Sequence, residues 1–321
     1  MIALVLVLVV ALAAGLGLSV YEYYAGEHPL LDALYEVRLR RQPLAALARR
    51  RAENPRRTSA IVTMTTLPSR IDRIAPTIKS LLNQSVAPEA IRLNVPAVSR
   101  REQRPYVVPD WLRQLPAVTI CPCDDYGPST KLIPALLASR PDQRLIVVDD
   151  DRIYHPLFVE EMVRHAEEHP GVAVVGSGWD APDDLVDRPS TLMATLRGQA
   201  PVPLKCTRVS RAGRDVDIMQ GLSGYLVEPR FFDRAALVDY RAAPPAAVFV
   251  DDVWISAHCL VPKVIFRARR TNFQSMLDTD FYQRTSLGRV NRGDGTLEGR
   301  NNTIMLKYFK DRWKTTKRAS Q

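Results

Sequence analysis

The sequence predicts an α/β fold preceded by one membrane helix, and three observations carry that reading. First, the aliphatic run Leu145-Ile146-Val147-Val148 ends in Asp149, Asp150 and Asp151. A short continuous apolar run reads as an interior strand covered on both faces, and ligands of such sheets gather at the carboxyl ends of the strands. Second, residues 59–68 read as a strand and loop. Ile71, Ile74, Ile78, Leu81 and Leu82 then fall at helical spacing up to Gln84, completing an opening βα unit. Third, residues 2–20 carry no charge and are almost wholly aliphatic, which suffices for a helix crossing a hydrocarbon core of ~30 Å.

The remaining elements follow in order. Residues 90–95 and 118–121 supply two further short strands. Asp124-Asp125-Tyr126-Gly127-Pro128-Ser129-Thr130-Lys131 leads into a helical segment over 132–138, and a helix starts near Pro156. Segment 181–215, with Asp183, Asp184, Asp187, Arg188, Pro189 and Gly198, loses periodicity and is expected to form a loop excursion beside the site. Gln220-Gly221-Leu222-Ser223-Gly224 is a glycine-bearing loop running into the strand Tyr225-Leu226-Val227. Phe249-Val250-Asp251-Asp252-Val253-Trp254 then opens a helical stretch reaching Leu260. The 321 residues divide into an anchor (1–22), a basic juxtamembrane segment (23–58), one large α/β domain (59–290) and a tail (291–321), with no solenoid repeat.

Three adjacent carboxylates at the mouth of a strand repel one another unless a cation neutralises them, which points to a metal site. The alternative is a solvated turn that caps the next helix. The second acidic pair, Asp251-Asp252, favours the metal reading. The order of acid triplet, glycine loop and acid pair resembles the GT-A glycosyltransferases that use a nucleotide-sugar donor, most closely the fringe and galactosyltransferase group, over about residues 59 to 266. The D-Y-G-P-x-T-K string at 125–131 is similar to one in bacterial glycosyltransferase-2-like enzymes of the same fold.

The resemblance implies a GT-A, Rossmann-like mixed sheet with helices on both faces, a divalent Mn or Mg ion, and a nucleotide-diphosphate sugar as donor. On it, Asp151 binds the metal directly and Asp149 holds the ribose or a metal-bound water. Asp150, Gly221 and Gly224 border the donor. Lys131 is expected to pair with diphosphate, the alternative being a surface lysine, and Arg70 to meet base or phosphate. The acceptor hydroxyl loses a proton as it attacks the anomeric carbon, so an inverting enzyme needs a carboxylate on that side. Asp252 is the first choice, with Asp251 second or as a helix N-cap. Related enzymes complete the coordination with a downstream histidine, whereas this chain has none after His258.

The basic balance lies outside the domain. Residues 38–57 hold eight arginines against Glu53 alone, contributing +7 of the formal +9. That pattern suits anionic headgroups rather than nucleic acid, for which interleaved aromatics occur only at Lys307–Lys314. This tail reads as a terminal amphipathic helix, with a second interfacial contact as the other option. No Lys or Arg precedes the apolar segment, so the domain is expected to face the cytoplasm, as in a single-pass protein of a bacterial inner membrane. The acceptor is a glycan or a lipid-linked hydroxyl. Cys121, Cys123, Cys206 and Cys259 read as free thiols, and His165 and His169 as part of a solvated helix face.

Two other classes compete. A nucleotidyltransferase of related fold would show a glycine-rich basic loop after the first strand, and residues 63–70 contain no glycine. A membrane-tethered glycan-binding module would need no acids at both positions.

Overall fold

The computed structural model describes residues 2–189 and 203–314. Its centre is an eight-stranded mixed sheet. In chain order the strands are β1 (Ile61–Thr65), β2 (Ala90–Pro96), β3 (Val118–Cys123), β4 (Leu145–Val147), β5 (Ala173–Val175), β6 (Arg214–Val216), β7 (Tyr225–Val227) and β8 (Lys263–Ile265). Their spatial order is β6-β8-β5-β7-β4-β1-β2-β3. β3, β2, β1 and β4 are mutually parallel, whereas β7 runs antiparallel to both β4 and β5. The reversal has a functional consequence. Tyr225 pairs with Val147, so the entry to β7, where the glycine loop lies, sits beside the exit of β4, where the aspartates lie.

Alternation along β4 explains why the run reads as continuously apolar. Leu145 and Val147 face one core while Ile146 and Val148 face the other, so both faces are covered. One face carries α5 (Ile133–Ala138), α7 (Asp251–His258) and α8 (Asn301–Tyr308); the opposite face carries α2 (Pro29–Arg41), α3 (Leu44–Glu53), α4 (Ala75–Leu82) and α6 (Phe158–Glu168), with α1 (Ile2–Ala25) ahead of them all. The helical spacing seen from Ile71 splits into a 3-10 turn at Ile71–Arg73 and then α4, because Pro76 starts the α-helix proper.

Several packing boundaries differ from those expected. The 23–58 segment does not stand apart, since Leu39 of α2 and Leu47 of α3 are fully buried in the core that holds β1 and β2. Its basic character is partly spent there. Buried Arg51 donates to the carbonyls of Pro88 and Glu89, and Arg40 pairs with Glu36 and Asp278. The tail is likewise integral: Met305, Leu306 and Trp313 lie in the main core, with the Trp313 indole donating to Leu306 O at 2.9 Å. Within that aromatic run Tyr308 stays 45% exposed. Of the 181–215 excursion, residues 190–202 lie outside the described residues, Leu204–Lys205 pairs with Ser177–Trp179, and Arg214–Val216 forms the sheet edge. All four cysteines are free.

α1 is 24 residues long and exposed over most of the span Val5–Ala25, long and apolar enough to cross a membrane.

Candidate active site

The five aspartates converge on one cavity of about 540 Å³ at the carboxyl end of β4, walled also by Arg70, Arg101 and Trp179. The turn carrying Asp149–Asp151 is held from two sides: the Tyr154 hydroxyl accepts from the Asp149 N–H at 2.9 Å, and the Thr77 hydroxyl donates to the Asp150 carbonyl at 2.8 Å. The acid pair arrives from the other side on the first turn of α7. Val250, not Asp251, occupies the N-cap position, so the capping alternative for Asp251 does not hold. Both carboxylates sit instead at the positive end of the helix.

The D-Y-G-P-x-T-K string works as a turn that delivers Lys131. Asp125 accepts from the Gly127 N–H at 2.6 Å, and the Thr130 hydroxyl accepts from the Tyr126 N–H at 2.8 Å. Gly127 has φ +61°, and a Cβ there would lie 2.3 Å from the Val248 carbonyl oxygen, so the turn packs directly on the segment leading to Asp251. Thr63 of β1 donates to the Lys131 carbonyl at 2.7 Å.

Lys131 is neither free for a diphosphate nor on the surface. It is buried, with Nζ 2.7 Å from both Asp149 Oδ1 and Asp251 Oδ2. Burial alone would lower its ammonium, yet the facing carboxylates hold it well above the usual lysine range. Arg70 plays the same part for the rest of the triplet. Its guanidinium donates to Asp150 Oδ1 at 2.8 Å, lies 3.7 Å from Asp151, and is fixed by the Thr285 carbonyl and hydroxyl. Burial opposes its charge, and Asp150 and Asp151 restore it. The repulsion that points to a metal is thus relieved in part from within, by the cations Arg70 and Lys131.

What they leave is specific. Asp150 is buried and committed to Arg70 and the Thr66 hydroxyl, the latter at 2.6 Å, so it anchors the turn at the cavity wall. Among the described residues the Asp151 carboxylate has no hydrogen-bond partner, its nearest cations standing 3.7 and 3.9 Å away, and burial followed by the charge of Asp150 pushes it up to about 6. Asp252 accepts from the Gly221 N–H at 2.9 Å, and burial with Asp251 alongside pushes it up to about 7.

The two glycines separate in role. A Cβ at Gly221 would lie 2.1 Å from Lys131 Nζ and 3.1 Å from Asp149 Oδ1, so the bare backbone is what lets the cation reach its acids. Gly224, at φ +74°, would place a Cβ 2.5 Å from the Phe158 ring. It shapes the entry to β7 against the core, and neither glycine is part of the cavity lining, which takes Gln220 and Leu222 from this loop.

The donor chemistry fits a hard divalent cation. Asp151 offers the cavity a carboxylate held only by the longer ion pairs to Arg70 and Arg152, and Asp149 keeps Oδ2 beside the Oδ1 that Lys131 takes. Six aspartates, Asp125 included, line the cavity against Lys131, Arg70, Arg152, Arg100 and Arg101, so the carboxylates exceed the cations by one and the closely set acids still favour a bound cation. Of the two histidines expected on a solvated face, His169 is exposed, as is Glu168 beside it, whereas His165 is buried against Phe266. That group lies on α6 and its C-cap, outside the cavity lining. Arg101 was missed from the sequence. It donates to the Thr285 carbonyl at 2.7 Å and lines the cavity. The Arg100-Arg101 pair in the loop after β2 was the available signal.

No family model matches the chain, and no curated protein matches it. The matching solved structures are of low similarity. Among them are a 4-diphosphocytidyl-2C-methyl-D-erythritol synthase (9% identity, TM-score 0.41, covering 71% of this chain and 99% of that one), the 2-C-methyl-D-erythritol 4-phosphate cytidylyltransferase of Francisella tularensis (10%, 0.38, 72% and 99%), and residues 1–349 of S. aureus TarS (11%, 0.37, 79% and 71%). Scores this low assign neither family nor activity, and the reading of the site rests on its own geometry.

Proposed function

We propose that the protein is a metal-dependent glycosyltransferase that moves a sugar from a nucleotide diphosphate to a hydroxyl of a glycan or lipid-linked acceptor, with inversion. The observation that carries this is the division of labour within one cavity: Asp151 on the strand side, held only by ion pairs at 3.7 and 3.9 Å, and a carboxyl pushed up to about 7, Asp252, on the helix side. The cavity volume falls within the range of roughly 300–1,000 Å³ usual for small-molecule sites.

Asp151 and Asp149 would hold Mn or Mg, which supplies Lewis-acid stabilisation of the leaving diphosphate. Arg101 and Arg70 present cationic edges to the same space. Lys131 acts indirectly, fixing Asp149 and Asp251 so that Asp252 keeps its place over the Gly221 N–H. Asp252, poised near neutrality, takes the proton of the attacking hydroxyl.

The domain is tied to the foot of α1. Arg152, next to the triplet and in the cavity wall, pairs with Glu27 at 3.1 Å, which supports an acceptor presented at a membrane. With α1 as a single-pass anchor and the arginine-rich segment 38–57 following it, the cavity faces the cytoplasm, where nucleotide sugars are made.

A panel of labelled nucleotide sugars tested with Mn, with Mg and with chelator should give metal-dependent binding of one donor. Release of pyrophosphate from a nucleoside triphosphate, with no sugar nucleotide bound, would instead establish the nucleotidyltransferase reading.

A further inference from the structure

α2 is built inside out. Its two acids face the protein, with Asp32 0% and Glu36 1% exposed, while Leu30, Leu31, Leu34 and Val37 are 65, 50, 46 and 37% exposed. The inner face is held by polar contacts. Asp32 accepts from Arg270 at 2.7 Å and from the His28 N–H at 2.6 Å, and Glu36 accepts from the Ser275 hydroxyl at 2.6 Å and the Met276 N–H at 2.9 Å. At 3.6 residues per turn the four aliphatics, with Arg38 and Arg41, occupy one outer arc of about 120°. A helix on a water-facing surface shows the opposite distribution.

We propose that this outer face of α2 lies in the headgroup region of an anionic bilayer, as a second membrane contact that fixes how the domain sits on the membrane. The proposal rests on α1 being a membrane anchor and goes beyond it. Three features select lipid as the occupant. α2 begins four positions after α1 ends. Tyr21, Tyr23 and Tyr24, all about half exposed, ring the end of α1 at the level expected for an aromatic interfacial belt. Arg38 and Arg41 stand on the same arc as the leucines, so their stems lie along apolar surface while the guanidinium groups reach phosphate. By contrast, Arg40 and Arg51 are turned inward to protein partners, leaving outward charge where headgroups would meet it.

The test uses the full chain reconstituted in phosphatidylcholine–phosphatidylglycerol vesicles, with a tryptophan introduced by Leu34→Trp or, in α1, by Leu12→Trp. The signal is read as the difference from the unsubstituted chain. Brominated phosphatidylcholine should quench both added signals, that of Leu34→Trp by about half or more and with bromines near the headgroup most effective, and iodide in the buffer should quench neither. Quenching at Leu12→Trp alone, with Leu34→Trp open to iodide, overturns the surface contact and leaves the anchor standing. Lack of lipid quenching at both overturns both. Protection of Leu34→Trp from lipid and iodide alike, growing with protein density, would overturn the proposal in favour of a contact between two copies of the chain.

Discussion

Lys131 stands 2.7 Å from carboxylates on two different elements, Asp149 after β4 and Asp251 on α7. Removing one member of a buried charge network strands the rest, at a cost of ~3–5 kcal/mol. Lys131→Met, which keeps the volume and loses the charge, is therefore expected to destabilise the protein by that order in urea unfolding. The loss should shrink at low pH, where the stranded acids protonate. Gly221 is bound to the same atom by space: Gly221→Ala must displace the Lys131 ammonium, and the expected result is a fall in donor binding with the fold retained by circular dichroism. Lys131 could be singled out from the sequence, but its partners could not. A lysine preceding a helix carries no mark of which acids it will meet, because those acids are 18 and 120 positions away.

At the scale of elements, the strand ending in three aspartates was legible because both cores demand aliphatics at every position of β4. The helix opening at Asp251 and the strand entered through Gly224 were legible for similar local reasons. What local pattern cannot show is that β7 runs antiparallel between β4 and β5, the fact that brings the glycine loop to the triplet. Nor does it show that Gly224 answers to the Phe158 ring rather than to a ligand. Gly224→Ala accordingly should cost stability, through its positive φ and the Phe158 clash, by about 1–3 kcal/mol in unfolding experiments. α2 and α3 escaped the reading because their arginines look like a solvated basic tract, whereas Arg51 and Arg40 are spent inside.

For the whole molecule, the site buries carboxylates beside one another, and two carboxyls record it. Asp151 and Asp252 are raised from 3.8 to about 6 and about 7 in the folded chain. A raised carboxyl favours folding below its unfolded value, and that contribution is lost as pH rises through the folded value. In chelator, thermal stability should thus fall between about pH 4 and pH 7, and Mn should recover part of it at pH 7 and above. Activity runs the other way. A base must be unprotonated, so turnover in saturating Mn is expected to rise with pH through about 7, and this limb should vanish in Asp252→Asn.

The division of labour between Asp252 and Asp151 is tested most directly by measuring donor binding by calorimetry, with Mn present, alongside turnover for Asp252→Asn and Asp151→Asn. If Asp252 acts only on the attacking hydroxyl, Asp252→Asn binds the nucleotide sugar nearly as the unsubstituted chain does while turnover falls by ~10²-fold or more. Asp151→Asn loses donor affinity together with rate, because its carboxylate is engaged before the transition state is reached. Near-normal turnover in Asp252→Asn, or unaltered metal-dependent donor binding in Asp151→Asn, would contradict the account.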